Sequence, residues 1–179
     1  MRRVLFLLGE LNDQDIEWMI AAGRRQQVAA GEMLIREGQP IPALYIILAG
    51  ALSVFTQGSG DQAIAQLVAG DVAGEMSLVD ARPPSATVQA IQDSTVLAIP
   101  RSTLQTRLGQ DVSFAARFFK AIAIFLSQRL RDTEYQLGRY EHTENLSDPD
   151  ELDPNVLDVV DQAGRRFERL LQAVGELPT

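Results

Sequence analysis

The run Gly74-Glu75-Met76-Ser77-Leu78-Val79-Asp80-Ala81-Arg82-Pro83-Pro84-Ser85-Ala86-Thr87-Val88 is the most informative stretch of this 179-residue chain. A Gly-Glu pair opens it, the adjacent prolines Pro83 and Pro84 interrupt it, and Ser85-Ala86 leads into a further β-rich segment. Gly74, like Gly70 before it, reads as a turn glycine, a role that needs no ligand. Pro84 offers neither a charge nor a side-chain donor nor a backbone N–H.

On both sides the sequence has the period of short strands. Glu32–Glu37, Ala43–Leu48, Ala51–Thr56, Ala63–Val68, Ala86–Ile91 and Thr95–Ile99 are rich in aliphatic and β-branched residues. Turn signals separate them at Gly38-Gln39-Pro40, Gly50, Gly58-Ser59-Gly60-Asp61, Gly70-Asp71 and Gln92-Asp93-Ser94. Many short strands at such spacing predict a sandwich or barrel.

Helices flank this region. Asn12 can cap a helix over residues 12–23 that ends at Gly23 and presents Ile16, Met19 and Ile20. After Pro100 a short helix spans roughly 102–108. A longer one spans 112–139, with Phe114, Phe118, Phe119, Ile122, Phe125, Leu126 and Leu130 over a wide apolar face. So much apolar surface needs cover from the body, a second subunit or both. Residues 141–153 are polar and acidic and read as a linker. Asp153 and Pro154 then begin a last amphipathic helix over 154–176, whose stripe includes Val160, Ala163, Phe167, Leu170 and Val174. A helix of that length is marginal alone, so the stripe docks either on its own body or on a partner.

The pattern Gly31-Glu32, Gly38, Leu44-Tyr45-Ile46-Ile47, Gly50, Val54, Leu67, Gly70-Asp71 and Gly74-Glu75, followed by Ser85-Ala86, resembles the cyclic nucleotide-binding domain family over residues 10–140. The resemblance implies a mainly β fold: an eight-stranded jelly-roll barrel with helices before and after it. It also implies a phosphate-binding cassette at 74–88. In that cassette the glutamate accepts from a ribose hydroxyl, backbone N–H groups face the phosphate, and an arginine neutralises it. The candidate ligand-binding set carried over is Gly74, Glu75, Met76, Ser77, Arg82, Ser85, Ala86 and Thr87, and the candidate ligand is a cyclic nucleotide. The arginine's place holds Pro84, and losing such a contact costs about ten- to several-hundred-fold in affinity. Arg82 is the nearest substitute in the sequence, unless it is a solvated loop charge. Glu75 serves either a ligand or its own helix and loop.

Other chemistries are excluded by composition. The chain has no cysteine, and its one histidine, His142, falls in the acidic linker, so thiolate sites, clustered-histidine metal sites and serine–histidine catalysis lack their residues. Residues 141–179 hold ten acids and three arginines, a net charge of −7 out of the chain's −8. That tail argues against DNA as a partner, and the 39 residues after Tyr140 do not suit a winged helix-turn-helix. The apolar start Val4–Leu8 is too short for a signal peptide, and no run approaches the ~18 residues of a membrane span. The expectation is a cytoplasmic, non-enzymatic regulatory or adaptor protein. It is expected to be a homodimer through the 112–139 helix, with the 154–176 helix open to a protein partner and cyclic nucleotide binding degenerate. The alternative is a small-molecule sensor that takes a cyclic nucleotide or another metabolite in the barrel. Three segments are expected: a body over 1–140, a linker over 141–153 and a terminal helix over 154–176.

Overall fold

The computed structural model describes residues 8–60, 62–136 and 154–175. Asn12 accepts from the Asp15 N–H at 2.9 Å while the Asp15 carboxylate accepts from the Asn12 N–H at 2.9 Å, a reciprocal cap that starts α1 (Asp13–Ala22). Gly23 ends α1 against the sheet, where an added Cβ would lie 2.4 Å from Leu97 Cδ1.

Eight strands follow: β1 (Arg24–Val28), β2 (Met33–Ile35), β3 (Ala43–Ala49), β4 (Ala51–Phe55), β5 (Ala65–Val68), β6 (Val72–Ala73), β7 (Thr87–Ala90) and β8 (Ser94–Pro100). They form two four-stranded antiparallel sheets, ordered β1-β8-β3-β6 and β2-β7-β4-β5. The strand between residues 32 and 37 is only Met33–Ile35, with a register irregularity against β7. Two strands, β1 and β6, have no counterpart among the six predicted from the sequence. β1 reads Arg-Arg-Gln-Gln-Val and lies at a sheet edge, where charged side chains reach solvent and the apolar alternation fades. β6 is two residues long, below the reach of any period.

β3 explains why its sequence is apolar without alternation. Tyr45 and Ile47 point between the sheets, into a core with Val28, Ile35, Leu52, Val54, Leu67, Val88 and Val96. Leu44, Ile46 and Leu48 point the other way, beneath the helices. β8 divides in the same manner, Val96 inward and Leu97 and Ile99 toward the helices.

The helical layer comprises α1, α2 (Glu75–Asp80), α3 (Arg101–Gln110), α4 (Val112–Gln136) and α5 (Pro154–Gly175). Phe114, Phe118, Ile122 and Phe125 of α4 are fully buried, with Trp18 edge-on to Phe114 at a centroid distance of 5.3 Å. Arg117 grips Asp15 with two bonds, Nε–Oδ2 at 2.7 Å and Nη2–Oδ1 at 2.9 Å, tying α4 to α1. α5 packs on its own chain: Ala163, Phe167, Leu170 and Val174 enter the same core. Arg166 bonds Asp13 at 2.7 Å and the Leu8 carbonyl at 2.9 Å, and Arg169 bonds Glu17 at 2.6 Å. The 137–139 end of the long helix, the linker 141–153, His142 and residue 176 lie outside the described residues.

Candidate functional site

The end of β6 turns into α2 through Gly74, which has φ 91°. An added Cβ there would meet Ile41 Cδ1 at 2.8 Å and the Ala43 carbonyl at 3.1 Å, so both conformation and space require glycine. The turn sends Glu75 inward. Its side chain is 2% exposed, and the Arg129 Nη1 on α4 donates to Glu75 Oε1 at 2.7 Å. Burial raises the Glu75 carboxyl above its ordinary range, and the Arg129 charge opposes that without cancelling it.

Around this pair lies a cavity of about 70 Å³. Ile35, Val54, Leu67, Ala73 and Val88 form its apolar wall. The paired Glu75 and Arg129 also line it, with Gly74, Met76, Ser77, Pro84, Ser85 and Ala86. Sites for drug-sized molecules run to roughly 300–1,000 Å³, several times larger. Among the described residues the Arg129 side chain makes one hydrogen bond, through Nη1, and the Arg129 carbonyl accepts from Thr133 Oγ1 at 2.9 Å.

Six of the eight residues read from the sequence therefore share one cavity: Gly74, Glu75, Met76, Ser77, Ser85 and Ala86. Met76 is half exposed at its rim, and the Ser77 carbonyl accepts from Arg101 Nη2 at 2.8 Å. The other two do not line it. Arg82 is 84% exposed and its side chain reaches only Asp80, at 4.0 Å, as a solvated loop charge. The cause is the turn at Ala81, which has φ 58° and ends α2 so that the chain leaves the cavity there. Thr87 faces a broad groove on the outer surface, and its hydroxyl accepts from the Glu37 N–H at 3.1 Å. Pro84 is held by its carbonyl, which accepts from the Gly38 N–H at 2.9 Å, and contributes no donor to the cavity.

Arg129 is the residue that sequence reasoning missed. It sits 54 positions from Glu75, beyond any local motif. A signal exists nonetheless: Phe118, Ile122, Phe125 and Arg129 share one helical stripe, and the first three are fully buried. A cation in line with a buried stripe points to a buried anion.

Comparison with known proteins agrees with this architecture. A family profile described as "Cyclic nucleotide-binding domain" matches residues 25–111. A cAMP-dependent protein kinase regulatory subunit of Blastocladiella emersonii is 33% identical over 118 residues, 65% of this chain and 29% of that one. The chain spans less than a third of the length of the curated relatives it matches. Among solved structures, a cyclic nucleotide-binding domain from Methylobacillus flagellatus superposes with a TM-score of 0.68 at 20% identity, covering 80% of this chain and 85% of that one. The N-terminal domain of a transcriptional regulator from Streptomyces coelicolor A3(2) follows at 0.60 and 27%, covering 74% and 95%. None of the described helices is long and apolar enough to cross a membrane. With the glycine-opened turn, the inward glutamate and the two four-stranded sheets in place, residues 25–111 match the cyclic nucleotide-binding domain family and carry its fold.

Proposed function

We propose that this chain is a non-enzymatic regulatory or adaptor protein. In this reading its cyclic nucleotide site has degenerated, and it acts through protein contacts as a homodimer formed along α4. The observation that carries it is the Glu75–Arg129 pair at 2.7 Å. The carboxylate that a ribose hydroxyl would need is engaged by a cation of the same chain. The phosphate's arginine is a proline, and the remaining space is about 70 Å³. A nucleotide would have to break a largely buried ion pair, enlarge the cavity and leave its phosphate without a cassette arginine. Those costs add up against binding.

The dimer reading rests on the face of α4 turned away from the core. Val112 (80% exposed), Phe119 (45%) and Leu130 (60%) stand in helical register with the exposed Ala116 and Ala123. An apolar stripe at that spacing, opposite a fully buried one, has the geometry of a symmetric helix–helix contact.

Two measurements test the proposal together. Titration calorimetry with cyclic AMP and cyclic GMP is expected to give no binding heat at high micromolar ligand. Light scattering on the eluting protein is expected to give twice the chain mass. Tight nucleotide binding, or a monomer at all concentrations, overturns it.

A further inference from the structure

The Glu75–Arg129 pair also constrains what the residual cavity can accept. Glu75 is 2% exposed, so a ligand that draws Arg129 away must replace the lost donor or leave a buried carboxylate unpaired. A simple anion satisfies Arg129 and strands Glu75. A simple amine or alcohol does the reverse. A molecule with an acceptor anion on one carbon and a donor on the next satisfies both, and so inserts between the two side chains without net loss of pairing. Arg129 lines the cavity and spends only Nη1 on Glu75 among the described residues, and Ser85 lines the same cavity.

Size narrows the class. One water-sized site needs about 10–15 Å³, so 70 Å³ holds about five to seven non-hydrogen atoms. The wall of Ile35, Val54, Leu67 and Val88 then suits a hydrogen or a methyl group as the remaining substituent. We propose that this cavity binds a small 2-amino or 2-hydroxy acid, its carboxylate on Arg129 and its ammonium or hydroxyl on Glu75. The inference rests on the reading above only in that the cavity is not a nucleotide's.

The test uses the full chain and nuclear magnetic resonance titration of its methyl groups. The probes are glycine, alanine, glycolate, lactate, propionate, methylamine and cyclic AMP. At least one amino or hydroxy acid is expected to shift the Ile35, Val54, Leu67 and Val88 methyls. It should bind about ten-fold or more tightly than propionate or methylamine, each of which lacks one of the two groups. The amino-acid and hydroxy-acid arms distinguish the two donors. In a folded Arg129→Gln chain the response is expected to vanish, and Arg129→Lys is expected to retain part of it. Propionate binding as well as lactate and alanine, or silence from every amino and hydroxy acid at millimolar concentration, overturns the inference. That outcome leaves the degenerate-site reading intact when cyclic AMP is silent too. Micromolar binding of cyclic AMP at these methyls overturns both.

Discussion

Arg129 and Glu75, 54 residues apart in sequence, meet at 2.7 Å and fasten the long helix to the floor of the barrel cavity. Glu75 is almost wholly shielded from water and Arg129 about one-quarter exposed, so the two ends of the pair differ in what their removal costs.

Removing Arg129 leaves Glu75 buried without its counter-charge. Arg129→Ala is expected to destabilise the protein by about 1–3 kcal/mol at pH 7. The loss should shrink as pH falls. The Glu75 carboxyl is already raised above its ordinary 4.5 by burial, and without the arginine it rises further and protonates sooner. A raised carboxyl contributes stability below its unfolded value and loses it as pH rises through the folded one. Glu75→Gln, which cannot ionise, should therefore gain on the wild type as pH climbs above 4.5. Urea denaturation of both variants across about pH 4 to 8 reads the two trends.

Restoring the family arginine alone is not expected to restore the ligand. In Pro84→Arg the new cation still faces a carboxylate held by Arg129 and a cavity of about 70 Å³. Calorimetry should find cyclic AMP heat no larger than in the wild type. Clear micromolar binding would mean that the Glu75–Arg129 pair opens readily.

The tie between α1 and α4 gives the opposite pH signature. Burial pushes the Asp15 carboxyl up, but the Arg117 hydrogen bonds and charge and the Asn12 N–H outweigh it and hold it below its ordinary 3.8. A depressed carboxyl contributes stability above its unfolded value and loses it as pH falls through the folded one. Wild type should lose this contribution below about pH 4, whereas Asp15→Asn should lack the corresponding step. Arg117→Ala, which leaves an acid 1% exposed with the Asn12 N–H as its remaining donor, is expected to cost about 1–3 kcal/mol at pH 7 by thermal or urea unfolding.

α5 behaves as part of the body. Phe167 is 2% exposed within the helical core, and Phe167→Ala should cost about 3–5 kcal/mol. Deleting residues 145–179 should lower the melting temperature markedly. An equally stable truncated core would identify α5 as a helix that docks elsewhere.

On α4, Phe119→Glu and Leu130→Glu change side chains that are 45% and 60% exposed. Each is expected to halve the mass seen by light scattering while moving the melting temperature of the isolated subunit by little.

The cassette, the glycine turns and the helix cap at Asn12 were legible in the sequence because each depends on a few adjacent residues. Gly74 must reach φ 91°, Asn12 must bond the residue three ahead, and β3 must be apolar throughout. The polar edge strand β1 and the two-residue β6 were not legible, since pairing with a neighbour, and not side-chain period, makes them strands. Nor could the sequence say whether Arg82 or another cation serves the site. Local spacing favoured Arg82, but the left-handed turn at Ala81 carries it into solvent, and the register of α4 brings Arg129 to Glu75 instead. The sequence by itself determined a sandwich or barrel of short strands, which follows from local periodicity and turn chemistry, and its resemblance to a known family pointed to the barrel's cavity at 74–88. Tertiary structure alone decided which charge meets Glu75, because burying a carboxylate demands a partner in space, wherever in the chain that partner lies.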